Sequence, residues 1–493
     1  MNNIPEVKLG LVAVSRSCFP VELSKKRREE VVKECKRKKI ALTCINTVII
    51  SENDITPALS ELAKKGCNAL VVYLGNFGPE TPETILIQKF NGPVMVAGAA
   101  EETGKDLING RGDAYCGMLN LSYNLNLRHL RPYIPESPVG LPAEVADMIA
   151  DFTSIARVII GVKKLKIFSF GPRPQDFLAC NAPVKQLYDL GVEIMENSEL
   201  DMYDIFLKAK DRPEVKETAK DIARELGKKN VYPELVIKQA QFEVALKNFM
   251  KENLGTSEFG VFANKCWPAF EEYFGFVPCF NNSRLAAQGI PVSCEVDIYG
   301  VLSEYMANVA TEYPVTLLDI NNTVPYDMYK AAGKKVSGYA PRDLFMGFHC
   351  GNTASCLLDG WDLKYQLIMK RLLEPKTEPN ITRGTLEGKL KSGPVTIFRL
   401  QGAVEGDLRS YIAEGEVLDI DPKSFGSIGV LAIKEMDRFY RHVLIGRQYP
   451  HHTAVAFKRC GKILFEAAKM LGVSEVSTPL PKGVLYKGEN AFK

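Results

Sequence analysis

The sequence predicts an α/β protein: two doubly wound α/β domains followed by a mixed, β-rich C-terminal domain. Three observations predict this. The first third of the chain alternates strand-length apolar runs with amphipathic helical stretches. A second such series begins directly after the basic segment 163–166. After about residue 325, strand-like runs follow one another with few helices between them.

At 493 residues the chain is too long for one core, since a domain runs to roughly 100–200 residues. Residues 8–14 are apolar and β-branched, which predicts a strand; 22–39 are charged with a helical period. A strand over 40–50, a helix over 55–65, a strand over 69–74, a helix over 82–90 and a strand over 93–97 follow. Short buried strands separated by amphipathic helices predict a parallel sheet covered on both faces. A helix over 143–160 closes the N-terminal domain, 1–162. The central domain, 163–318, holds strands at 165–170, 192–195 and 260–263, three helices between 201 and 254, and a last helix over 296–309 that leads into a strand over 315–319. The C-terminal domain, 319–493, carries strands at 345–348, 395–400, 408–413 and 428–433 and a helical section over 454–471.

Composition excludes several classes. Sixty-two Lys and Arg against 59 Asp and Glu leave a net charge of only +3, without the basic excess of a nucleic-acid binder. The first residues lack the basic and apolar regions of a secretory signal. No apolar run approaches the roughly 18 residues needed to span a bilayer. The twelve cysteines are scattered singly, with no CxxC pair; this reads as reduced thiols used as small hydrophobes in a cytoplasmic protein. GxGxxG, GxxxxGK[ST], GxSxG and DxDxDG are all absent, so neither a dinucleotide fold, a P-loop, a nucleophile elbow nor an acidic calcium loop is expected.

Four of the five histidines, His349, His442, His451 and His452, lie in the C-terminal domain. Two are adjacent in QYPHHTAVAF; neighbours on a strand point to opposite faces, so one of the two is expected to face a site. Two carboxylates stand out. Glu295, in PVSCEVDIYG, closes an apolar run and opens a helix; Asp319 ends VTLLD. A carboxylate at the exit of a buried strand suits a ligand crevice. Glu295 is equally open to a helix-dipole role and Asp319 to an Asx turn. Two carboxylates and an imidazole make a hard, oxygen-rich set suited to Mn²⁺ or Mg²⁺.

The runs PVSCEVDIYGVLSEYM, VTLLDINN and PHHTAVAF resemble the metal-site elements of the L-fucose and L-arabinose isomerases, and GVFANKCWPAF resembles a fucose isomerase segment. The separation of 24 positions from Glu295 to Asp319 is similar to the Glu…Asp spacing of the fucose enzymes, while the chain length matches the arabinose enzymes. The resemblance implies a three-domain ketol-isomerase that interconverts an aldose and a ketose through a metal-stabilised enediolate. It implies Glu295 and Asp319 as catalytic acid/base pair and metal ligands. His452 is the favoured third ligand and His451 the second choice; His349 is open to ligating the metal or binding substrate. The cofactor implied is Mn²⁺, with Mg²⁺ or Co²⁺ as substitutes, and the assembly implied is a homo-hexamer.

Substrate contacts are expected from Arg16, Asn76 and Phe77 at strand exits of the first domain, and from Trp267 stacking on a sugar face. The substrate is fucose-like, arabinose-like, or a hexose modified at carbon 6 such as sulfoquinovose; an anionic group there would call on Arg16. Two other readings stay open: a non-catalytic sugar-binding protein on the same fold, and a metal-dependent lyase or epimerase.

Overall fold

The structure, a computed structural model, describes residues 3–492. It forms two compact units: residues 5–160, and the residues from Gly161 on together with those before Pro5.

The first unit contains β1 (Leu9–Val14), α1 (Val21–Arg37), β2 (Thr43–Cys44), α2 (Ile55–Lys64), β3 (Ala69–Leu74), α3 (Glu80–Lys89), β4 (Val94–Ala99), α4 (Ala114–Leu127), β5 (Val139–Gly140) and most of α5 (Pro142–Lys163). The sheet is parallel, in the order β2-β1-β3-β4-β5. Every residue of β1, β3 and β4 is buried, which is why those runs read as continuous apolar segments. The strand expected over 40–50 contracts to Thr43–Cys44 and a single bridge from Ile49 to Val14. The Glu61 carboxylate takes the backbone N–H groups of Asn46 and Thr47 between them, turning the chain out of the ladder. Helix α4 was not expected: its inner face of Met118, Leu121 and Leu125 is matched by an exposed one of Tyr115, Leu119, Tyr123 and Leu127, which blurs the amphipathic period.

The second unit begins with β6 (Leu165–Phe170), α6 (Lys185–Asp189), β7 (Glu193–Asn197), α7 (Glu199–Lys208), α8 (Pro213–Leu226), α9 (Val236–Asn253), β8 (Phe259–Ala263), α10 (Phe270–Phe274), α11 (Cys279–Ala287) and β9 (Val292–Ser293). Its four strands are parallel, in the order β7-β6-β8-β9. Next come α12 (Ile298–Thr311), β10 (Val315–Thr323), α13 (Tyr326–Ala332), β11 (Leu344–His349), β12 (Leu358–Tyr365), α14 (Leu367–Leu373), β13 (Arg383–Leu390), β14 (Gly393–Gly402), β15 (Leu408–Leu418), β16 (Ser427–Ala432), α15 (Met436–Phe439), β17 (His452–Ala456), α16 (Gly461–Met470) and β18 (Glu475–Ser477). Mostly antiparallel pairing gives the order β12-β13-β16-β11-β10-β17-β14-β15-β18, and a further β15–β16 pairing closes six of these strands into a barrel. The expected fold class is therefore the observed one.

Helix α12 lies between the parallel sheet and the barrel strands β10, β14 and β17. It is buried all round from Ile298 to Ala310, as a helix with a sheet on each side must be. Two expectations are corrected here. Residues 454–456 form part of barrel strand β17 and only Gly461–Met470 is helical, because a short apolar run has no period to separate strand from helix. Asp319 does not end its strand: β10 continues to Thr323 past a register shift between Ile320 and Asn322. No helix among the described residues is long and apolar enough to cross a membrane.

Candidate active site

The site is built where the last parallel strand meets the barrel. After β9 the chain makes one tight turn, 294–296, in which Glu295 (φ 53°, ψ 24°) and Val296 (φ 54°) both adopt left-handed backbone. A β-branched residue there is strained, at a cost of about 1–3 kcal/mol, and such strain persists only where the surroundings impose it. Asn264 imposes it: its carbonyl accepts the Val296 N–H at 3.0 Å, its own N–H donates to the Ser293 carbonyl at 3.1 Å, and its amide exchanges hydrogen bonds with Asn282 at 3.0 and 3.1 Å.

Three neighbouring strands supply the rest. Asp319 on β10 stands directly opposite His452 on β17 and opposite Phe348 on β11, with His349 next in line. Directly opposed residues on one sheet face touch. His452 Nε2 is 3.4 Å from Asp319 Oδ1 and 3.5 Å from Glu295 Oε2. The two carboxylates and the imidazole expected to converge do so. His451 also reaches Asp319, with Nε2 at 3.7 Å from Oδ1. The alternation expected of adjacent strand residues does not separate the pair, because β17 begins only at His452. His349 is 3% exposed, and its Nε2 lies 3.7 Å from Glu295 Oε2.

Two residues that the sequence reading missed complete the arrangement. Asp297 caps α12 by accepting the Gly300 N–H at 2.8 Å, and it accepts a 2.8 Å hydrogen bond from His452 Nδ1. Arg399 on β14, fully buried, clamps Asp297 with both terminal nitrogens, at 2.5 and 2.9 Å. Burial alone would raise the Asp297 carboxyl, but Arg399 and His452 outweigh it and hold the group well below the usual range. With Nδ1–H committed to Asp297, the His452 lone pair sits on Nε2 and faces Glu295 and Asp319.

The donor set fits a hard divalent cation. Glu295 Oε2 is buried and has no hydrogen-bond partner, a costly state for a carboxylate unless a cation answers it. Burial would raise this carboxyl too, but His349, His452 and His451 hold it below its ordinary value, so it stays an anion. Ligand atoms of Asp319, His451 and His452 lie within 4.8 Å of one another, as do those of Cys294, Glu295 and His349.

Phe177, also missed, joins the histidine pair to Trp267: its ring centroid is 5.4 Å from His451, 6.2 Å from His452 and 6.2 Å from Trp267. The remaining expected contacts belong to the first unit. Asn76 is fully buried and spends its side chain on Ser15, the Pro20 carbonyl and the N–H groups of Arg16 and Gly78. Arg16 pairs with Glu80 at 3.2 Å and lies 4.6 Å over the Phe77 ring.

Residues 10–163 match the family described as the N-terminal domain of fucose/sulfoquinovose isomerase, and residues 347–477 match the L-fucose isomerase C-terminal domain. Sulfoquinovose isomerase of Alkalicoccus urumqiensis is 26% identical over 343 residues, covering 68% of this chain and 69% of that protein. Sulfoquinovose isomerase of Priestia aryabhattai is 23% identical over 479 residues, covering 94% of this chain and 97% of that protein.

Proposed function

We propose that this chain, which belongs to the L-fucose isomerase superfamily, interconverts an aldose and a ketose, and that its substrate is a hexose modified at carbon 6, of the kind its sulfoquinovose isomerase relatives are named for. The observation that carries this reading is the approach of Glu295 Oε2 and Asp319 Oδ1 to the same His452 Nε2, at 3.5 and 3.4 Å.

Two proton transfers make the reaction: one carries the carbon 2 proton to carbon 1, the other moves a proton between the two oxygens. Glu295 and Asp319 share this work as base and acid. Glu295 is suited to accept a proton because it is held ionised. A divalent cation held by Glu295, Asp319 and His452, with His451 in reach of the same carboxylate, supplies when bound the positive charge that offsets charge developing on the sugar oxygens. Mn²⁺ is the ion we assign, with Mg²⁺ or Co²⁺ as substitutes for this oxygen-rich set. Arg16 is the position suited to an anionic carbon 6 group, and Trp267 and Phe177 offer aromatic faces to the ring.

A homo-oligomer, a hexamer by family resemblance, is part of the reading. The exposed row of Tyr115, Leu119, Tyr123 and Leu127 on α4 supports it, since surface apolar residues grouped on one face mark contact surfaces. The twelve cysteines, all free, suit a reducing cytoplasm. The test is ketose formation from a panel of aldoses with added Mn²⁺. Turnover of sulfoquinovose above fucose and arabinose is expected; faster turnover of either of those reassigns the substrate, and no ketose from any of them overturns the activity.

A further inference from the structure

We infer that His349 is a hydrogen-bond donor to the sugar and not a ligand of the cation. This rests on the reading above, in which Glu295, Asp319 and His452 hold the ion.

A neutral imidazole carries one proton, and the hydrogen bond made by one ring nitrogen settles the role of the other. His349 Nδ1 accepts the backbone N–H of Cys350 at 2.9 Å. That lone pair is used, so the ring proton sits on Nε2. A protonated nitrogen donates; it cannot ligate. His452 is the mirror case: its Nδ1–H donates a hydrogen bond to Asp297, leaving the lone pair on Nε2. The two rings lie 5.8 Å apart and both turn Nε2 toward Glu295 Oε2. One presents an N–H to this space and the other a lone pair.

The arrangement around His349 is stiff. Its backbone pairs with Ser427 at the end of β11. Cys350, whose N–H sets the ring, is held on two sides: its carbonyl accepts from Thr385 Oγ1 at 2.6 Å and its sulfur accepts from Gln366 Nε2 at 3.0 Å. The 3.7 Å between His349 Nε2 and Glu295 Oε2 is too long for a hydrogen bond. The N–H is therefore free to serve an oxygen at the reacting end of the sugar, beside the carboxylate that handles its protons. The same tautomer removes His349 from the Cys294–Glu295–His349 donor set.

Two measurements test this. Nitrogen-15 NMR of the metal-free protein labelled at histidine, assigned with His349→Gln and His452→Gln, should place the proton on Nε2 of His349 and on Nδ1 of His452; a proton on Nδ1 of His349 would overturn the inference. Electron spin-echo spectra of the Mn²⁺-loaded protein should lose an imidazole nitrogen coupling in His452→Gln and keep the wild-type coupling in His349→Gln. The latter variant should bind Mn²⁺ within about threefold of wild type, against the roughly 10–100-fold expected when a metal site is disturbed. Its KM for the sugar should rise about tenfold, the worth of one lost hydrogen bond. Loss of a coupling in His349→Gln would also overturn the inference. A wild-type protein that binds no Mn²⁺ would instead defeat the functional reading, with the NMR still deciding the role of His349.

Discussion

Asp297 and Arg399, 102 positions apart in the chain, form a doubly hydrogen-bonded ion pair inside the protein, at 2.5 and 2.9 Å, and the carboxylate of that pair also holds His452 at Nδ1. Asp297→Asn should weaken both partners at once. Breaking a buried pair costs about 3–5 kcal/mol, and disturbing the partner of a metal-binding imidazole costs roughly 10–100-fold in affinity. Calorimetric Mn²⁺ titration and thermal unfolding of the variant check this; wild-type values in both would remove Asp297 from the account.

Glu295→Gln and Asp319→Asn should each lower ketose formation by about 10²–10⁴-fold, the usual worth of a positioned acid or base. Neither residue is needed for the barrel core, so circular dichroism should be unchanged. Near-full turnover in either variant would take that residue off the catalytic list.

Glu271 provides a pH test outside the site. It is fully buried, and burial pushes its carboxyl up to about 8. An unfolded Glu ionises near about 4.3. The folded state therefore keeps its proton where the unfolded state has lost it, and this contribution falls away as pH rises from about 4.3 to 8. Glu271→Gln should raise the melting temperature at pH 8 by about 2 °C or more, with the gap narrowing toward pH 5. Parallel melting curves for the two proteins across that range would contradict it.

Gly117 shows how tightly α4 seats on the loop that follows β3. A Cβ there would lie 1.9 Å from the Phe77 carbonyl oxygen. Backbone cannot yield as a side chain can, so Gly117→Ala should destabilise the first unit by about 1–3 kcal/mol. Denaturant unfolding of the variant measures it; an unchanged midpoint would mean that the helix does not sit against this loop.

Much of the site was legible because its key residues interrupt local patterns. Glu295 and Asp319 are charges set against apolar runs, and His452 opens another; each departure is visible within ten residues. Asp297 was not legible. Two places after Glu295, at a helix start, it reads as an ordinary cap, and it is one. Its second role depends on Arg399, which alternation along VTIFRLQ marks only as a polar strand residue. Nothing local ties two residues so far apart. Strands β12 and β13 were missed for a similar reason: LDGWDLKY is half exposed and bent at Gly360, so it lacks clean alternation.

Whether residues 295, 319 and 452 grip a single cation is tested most directly by Mn²⁺ titration of the chelator-stripped protein alongside Glu295→Gln, Asp319→Asn and His452→Gln. Saturable binding to wild type and a loss of roughly tenfold or more in each variant are expected. Equal affinity in all four proteins would contradict it.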